Sequence, residues 1–203
     1  MSEPDISKYC DLMAEIKKRV SVIDFFLFGG GHAMYQPTTI ESVGLQLRKI
    51  LELVAFGSLV ANKESYSLAY EKFATHWNAR LLLRDLERVN PDFYPKPMVE
   101  TPSADPRALL QLKDREADYL TREEFERAYE KVRAIMHAAN PYGSQTDFKY
   151  FLEKLPAWRT QIVNLLNNHK VRLLNDSGFY IIHMKEEGDD KVHYYRFDPA
   201  PAK

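Results

Sequence analysis

Apolar residues recur at helical spacing through most of the chain and at strand spacing only near its end. Over residues 9–28, Leu12, Met13, Ile16, Val20, Ile23 and Leu27 form the stripe of an amphipathic helix, and Gly29-Gly30-Gly31 stops it. Over residues 39–62, Ile40, Val43, Leu47, Ile50, Leu51 and Val54 mark a second stripe, and Leu45, Leu53, Phe56 and Val60 carry apolar character around it. A helix apolar on more than one side belongs in the middle of a bundle. Residues 64–90 predict one or two further helices, with Tyr66, Tyr70, Phe73 and Trp77, then Leu81, Leu82 and Leu86, turned inward.

Five of the eleven prolines follow, at Pro91, Pro95, Pro97, Pro102 and Pro106. They cannot continue a helix, so residues 90–106 read as a long loop, held down by Phe93, Tyr94 and Met98. Short helical pieces are expected over residues 107–119. Thr121 and Glu124 form a capping box for a helix running to about Ala139, where Asn140-Pro141 ends it; Phe125, Tyr129, Val132 and Met136 are its inner face. Ser144 and Asp147 look like the N-cap of a last helix, broken or kinked at Pro156 and continuing to Asn168. After that the period drops to two, predicting strands over residues 170–175, 179–185 and 191–197, joined by turns at 176–178 and 186–190. The expected fold is mainly α: a multi-helix bundle over residues 1–168, including the proline-rich loop, and a C-terminal antiparallel three-stranded β-meander over residues 169–203.

Charge narrows the classes of partner. The 203 residues carry 28 Lys and Arg against 29 Asp and Glu, a net charge of −1, so no global field draws in polyanions and any nucleic-acid contact must be a local patch. Cys10 is the sole cysteine, which excludes an intrachain disulfide and a multi-cysteine zinc site. The acidic start, Met1-Ser2-Glu3-Pro4-Asp5, is unlike a secretory leader, and the apolar runs at 20–28 and 50–61 are too short or too charged to cross a bilayer. A cytoplasmic protein with no membrane partner is the expectation.

Candidate chemistry concentrates in residues 129–143. On a continuous helix Arg133, His137 and Asn140 share one face. A guanidinium neutralises a phosphoryl group and an imidazole moves protons near neutrality, which are the requirements of RNA cleavage without a metal or other cofactor. The structural alternative is that Arg133 pairs with Glu130 or Glu126 and His137 packs at the helix end. Taken with the central-helix sequence Leu45-Gln46-Leu47-Arg48-Lys49-Ile50-Leu51-Glu52, this Arg-to-His helix ending in an Asn-Pro turn resembles the HEPN superfamily over residues 40–168. The resemblance implies a four-to-five-helix bundle, often dimeric, used in bacterial toxin and antiviral systems as a metal-independent endoribonuclease or as a non-catalytic module. It makes Arg133 and His137 the catalytic pair, with His137 acting on the ribose 2′-hydroxyl or the leaving group; in the expected mechanism, transesterification at the 2′-hydroxyl, Asn140 positions the backbone. It says nothing about the C-terminal strands.

Other features have competing readings. Arg48 and Glu52, four apart on the central helix, are expected to pair with each other or with polar groups of the Arg133 helix; facing the His137 cleft instead, Arg48 would be a second phosphate-binding cation. Gly29-Gly30-Gly31-His32 lacks the Lys and Ser/Thr of a phosphate loop and reads as a helix stop. A hairpin about residues 186–190 sets His183 opposite His193, two imidazoles without a third metal ligand. Arg159, Gln161, Asn164, Asn167 and Asn168, followed by strands with Lys170, Arg172 and Lys191, have the order of a winged-helix DNA binder, although the tip Glu186-Glu187-Gly188-Asp189-Asp190 would repel phosphates. Both meander faces, Phe179/Ile181/Tyr195/Phe197 and Tyr180/Ile182/Tyr194, are apolar. One must meet the bundle, and the other is available to a second subunit or a protein partner in an assembly module without chemistry.

Overall fold

The computed structural model describes residues 3–69, 78–107, 110–138, 140–172, 178–186 and 188–198. In chain order these form α1 (Glu3–Leu27), α2 (Gln36–Ala61), α3 (Lys63–Ala69), α4 (Ala79–Val89), β1 (Lys96–Pro102), β2 (Leu110–Asp114), α5 (Arg122–Ala134), α6 (Phe148–Leu166), β3 (Asn168–Arg172), β4 (Phe179–His183) and β5 (His193–Phe197). Tyr70, Phe73, Trp77 and the turn residues Asp176 and Ser177 lie outside the described residues. Among the described residues no helix is long and apolar enough to cross a membrane.

Helix α2 is the centre of the bundle, as its broad apolar surface requires. It packs against α1, α3, α4, α5 and α6, and Leu47, Ile50, Leu51 and Ala55 are fully buried. Helix α1 ends where Gly30 takes φ +74°, a backbone conformation that side chains disfavour. The N–H groups of Gly29 and Gly31 then bond back to the carbonyls of Asp24 and Phe25. They face their own helix, so the glycine run terminates α1 and does not cradle a phosphate.

The capping box opens α5 as expected. The Thr121 hydroxyl accepts the Glu124 N–H at 3.2 Å, and the Glu124 carboxylate accepts the Thr121 N–H at 3.3 Å. The far end differs from the expectation of a helix to about Ala139, because α5 stops at Ala134. Its last turn tightens, with Ile135 N–H bonded to Val132 O and Met136 N–H to Arg133 O. Ile135 is thereby seated in a notch at Gly44 of α2, where an added Cβ would lie 2.4 Å from Ile135 Cδ1. Burial of Ile135 against a neighbouring helix, not the Asn-Pro turn, sets the end of α5.

Asp147 caps α6, its Oδ1 accepting the Tyr150 N–H. The expected break at Pro156 does not occur, and α6 is continuous through it. Proline removes one donor, leaving the Leu152 carbonyl without its helical partner on an exposed turn that water reaches. Meanwhile Phe151 and Leu155 before Pro156, and Trp158, Ile162, Leu165 and Leu166 after it, are buried along one face.

The sheet has five antiparallel strands in the order β2-β1-β3-β4-β5, not three. The last two strands have the expected register, with His183 opposite His193, Ile181 opposite Tyr195 and Phe179 opposite Phe197, while β3 starts at Asn168, two residues before the expected strand. The two additional strands replace the loop expected over 90–106 and the helical pieces expected over 107–119. Clustered prolines disfavour a helix interior but tolerate extended backbone at strand ends and edges. Lys96 and Pro97 pair with β3, while Met98 through Pro102 pair with β2, so Pro102 sits on the last rung. Strands thus come from both sides of residue 168, and Val171, Tyr180, Ile182 and Met184 share one core cluster with the helices.

A buried polar seam joins these layers. His169, on β3, is fully buried, with Nε2 2.8 Å from the Tyr9 hydroxyl on α1 and Nδ1 2.7 Å from the Leu166 carbonyl. Burial lowers its pKa to about 4. The ring is therefore neutral near pH 7: Nδ1–H donates to Leu166 and Nε2 accepts from Tyr9, whose phenol burial pushes upward. A second seam runs through the buried Asn62 and Asn90, where Asn90 Nδ2 donates to Asn62 Oδ1 at 2.6 Å.

Candidate functional site

The contact of Ile135 with Gly44 brings the end of α5 against α2, and one turn further along α2 lies Arg48. Its Nε is 3.1 Å from Glu52 Oε1, an i, i+4 pair. Its Nη2 donates to the Tyr129 hydroxyl at 2.8 Å, and the guanidinium stands 4.5 Å from the Tyr129 ring centre. The Tyr129 hydroxyl in turn points at Glu52 Oε1, 3.5 Å away. Both alternatives read for Arg48 and Glu52 are thus met at once: they pair with each other and with a polar group on the Arg133 helix. Tyr129 titrates above an ordinary phenol, first because it is desolvated, with Arg48 opposing and Glu52 reinforcing the shift. It keeps its proton near neutrality and holds Arg48 in place.

Arg48 and Glu52 of this triad stand on one wall of an open groove of about 490 Å³. Leu45, Lys49 and Glu52 line it from α2, and Arg133, Met136 and His137 from α5 and the turn after it. Among the lining residues Arg48, Lys49 and Arg133 outnumber the one carboxylate, Glu52, so the lining is positive in a chain of net charge −1. Such a patch favours an anion.

Arg133 and His137 both line this groove. Arg133 is 62% exposed and its nearest carboxylate partner, Glu130, is 3.9 Å away. An exposed pair at that distance adds little and leaves the fork free to turn to a ligand. His137 is exposed just beyond α5. Because α5 ends at Ala134, the two side chains do not stack on successive turns of one helix; the tightened turn at 135–136 carries His137 to the groove. Asn140 is not brought there. Its Oδ1 accepts the Tyr142 N–H at 3.0 Å and its carbonyl accepts the Gly143 N–H at 2.9 Å, so it serves a local turn.

Sequence reasoning missed Lys49. The signal was available, since 45, 48, 49 and 52 stand at i, i+3, i+4 and i+7 and share one flank of α2, but Leu45 reads as an extension of the core.

The remaining candidates have their groups engaged elsewhere. On α6, Arg159 chelates Asp24 at 2.6 and 2.5 Å, Gln161 donates to Glu124, and Asn164 donates to the Asp118 carbonyl at 2.6 Å. Lys170 pairs with Asp114 at 3.2 Å. Arg159, Gln161, Asn164 and Lys170, four of the side chains that a winged helix would turn to DNA, are therefore engaged within the chain. His183 and His193 are opposite one another, but His183 Nδ1 is 4.0 Å from Glu100 and His193 Nε2 is 2.8 Å from Asp189, so each meets its own carboxylate. Comparison with known proteins finds no family model, no curated protein and no solved structure that matches this chain.

Proposed function

We propose that the protein binds single-stranded RNA in the α2–α5 groove and cleaves it without a metal, like the HEPN-like bundles it resembles, as a component of a bacterial defence or toxin system. One observation carries this reading: an exposed arginine and an exposed histidine line the same positive groove. In the proposed reaction the His137 imidazole takes the 2′-hydroxyl proton as the 2′-oxygen attacks the adjacent phosphorus. The bond from phosphorus to the 5′-oxygen breaks, and the imidazolium or water returns a proton to that oxygen. Arg133, with Lys49, neutralises the charge gathering on the phosphoryl oxygens. Binding is tested by fluorescence anisotropy with a short labelled single-stranded RNA. Lys49→Glu combined with Arg133→Glu is expected to weaken affinity by roughly tenfold or more and to flatten its salt dependence. Unchanged affinity would place the RNA elsewhere.

A second reading, assembly through the C-terminal strands, is favoured by the sheet edge. Tyr180 and Ile182 are buried in the bundle core, whereas Tyr194, Tyr195 and Phe197 on edge strand β5 are 42–45% exposed. Phe179 stacks on Phe197 with ring centres 5.3 Å apart. Aromatic side chains on a free edge are usually covered in solution. Sedimentation is expected to find a dimer that Tyr195→Lys with Phe197→Lys converts to a monomer; a wild-type monomer at high concentration contradicts this.

A further inference from the structure

Helices α1 and α6 leave a gap between them, closed on a third side by the segment that follows β4. Ala14, Lys17, Lys18 and Ser21 face it from α1, and Arg159, Ile162, Val163 and Leu166 from α6, each set at the i, i+3, i+4, i+7 spacing of one helix face. The cleft measures about 410 Å³, within the usual range for small-molecule sites. Its apolar lining comes from the half-buried Ala14, Val20 and Val163 together with Met184, 8% exposed, over the almost fully buried Ile16, Ile162 and Leu166.

Four cations stand around this apolar interior, and two of them are already neutralised. Lys17 donates to the Met184 carbonyl at 2.8 Å and to Asp190 through its carbonyl at 2.5 Å and its carboxylate at 2.6 Å. It is a strut that fixes the third wall. Arg159 is held by both oxygens of Asp24. Lys18 and Lys185 remain: both are exposed on the rim and neither pairs with a carboxylate among the described residues. Their flexible stems allow the ammonium groups to reach over the opening while the apolar floor stays dry.

We infer that this cleft binds a small organic anion with an apolar body, its tail against Val20, Val163 and Met184 and its charged head between Lys18 and Lys185. The site shares no lining residue with the α2–α5 groove, so it stands or falls independently of the RNA reading. A purely inorganic anion would leave the apolar floor unused, and a neutral lipid would leave the two lysines unused. The chemistry therefore requires both parts in one molecule.

The test is a methyl NMR titration of the full chain with sodium octanoate, 1-octanol and inorganic phosphate as separate probes. Octanoate is expected to move the Val20, Val163 and Met184 methyl signals saturably, with octanol and phosphate binding about tenfold more weakly or worse. Lys18→Glu with Lys185→Glu, on exposed side chains that leave the fold intact, is expected to weaken octanoate by about tenfold. Ala14→Phe, with its melting temperature checked, fills the gap and is expected to abolish binding. Non-saturable shifts, octanol binding as tightly as octanoate, or equal octanoate affinity in the double variant would each overturn the assignment.

Discussion

Replacing His137 with alanine is expected to slow cleavage of single-stranded RNA by about 10²–10⁴-fold, the usual contribution of a positioned acid–base group. The same change is expected to alter stability by no more than about 0.5 kcal/mol, because the side chain is exposed and packs into no core cluster. Arg133→Lys separates charge from shape. It keeps the cation but loses the planar fork that spans two phosphoryl oxygens, so an intermediate rate is expected, with Arg133→Ala slower still. Single-turnover rates in EDTA, measured beside thermal denaturation of each variant, read both quantities. Wild-type rates in His137→Ala would remove the imidazole from the reaction, and a collapse of melting temperature would make it a structural residue.

Acidification is expected to weaken the fold through His169 by on the order of 3 kcal/mol between neutrality and pH 4. The sign follows from burial. His169 in the folded chain titrates at about 4, against an ordinary value of 6.5. Below 6.5 the unfolded chain binds a proton that the folded chain refuses, so stability falls as pH drops from about 6.5 to about 4 and is flat above that window. The cost is steep because protonation would put a charge in a fully buried site and leave the Tyr9 hydroxyl facing a donor in place of an acceptor. His169→Gln cannot titrate, so its urea midpoint is expected to change less between pH 7.5 and pH 4.5 than the wild-type midpoint. Its stability at neutral pH is expected to be lower, by about 1–3 kcal/mol, from imperfect replacement of a buried hydrogen-bonding ring. Parallel curves for the two proteins would mean that His169 is not held neutral.

What was legible in the sequence was what local spacing decides. The apolar stripe of α2, the glycine stop of α1, the Thr121–Glu124 box and the register of β4 with β5 depend on residues a few positions apart, or on one short hairpin. Strand β1 was not legible, because its prolines disfavour helix without choosing between loop and strand. The choice is made by pairing with β2 and with Lys170 and His169, the latter more than seventy positions away. The end of α5 was misjudged for a similar reason, since Gly44 on another helix receives Ile135. At the candidate site, the Arg133 to His137 spacing pointed to two groups that line one groove even though the helix between them is shorter than expected. Asn140 belonged to its own turn, where an Asx side chain satisfies a nearby N–H. His169 carried no signal at all, since a single histidine in a strand reveals nothing of the tyrosine that meets it from the other end of the chain.

The decisive measurement is the chemistry of the ends produced when purified wild-type protein is incubated with end-labelled single-stranded RNA in EDTA. A groove in which His137 activates the 2′-hydroxyl and Arg133 steadies the phosphoryl group predicts fragments with 2′,3′-cyclic phosphate and 5′-hydroxyl termini, absent from the Arg133→Ala and His137→Ala proteins. Intact RNA, or fragments carrying 3′-hydroxyl and 5′-phosphate termini, would contradict it.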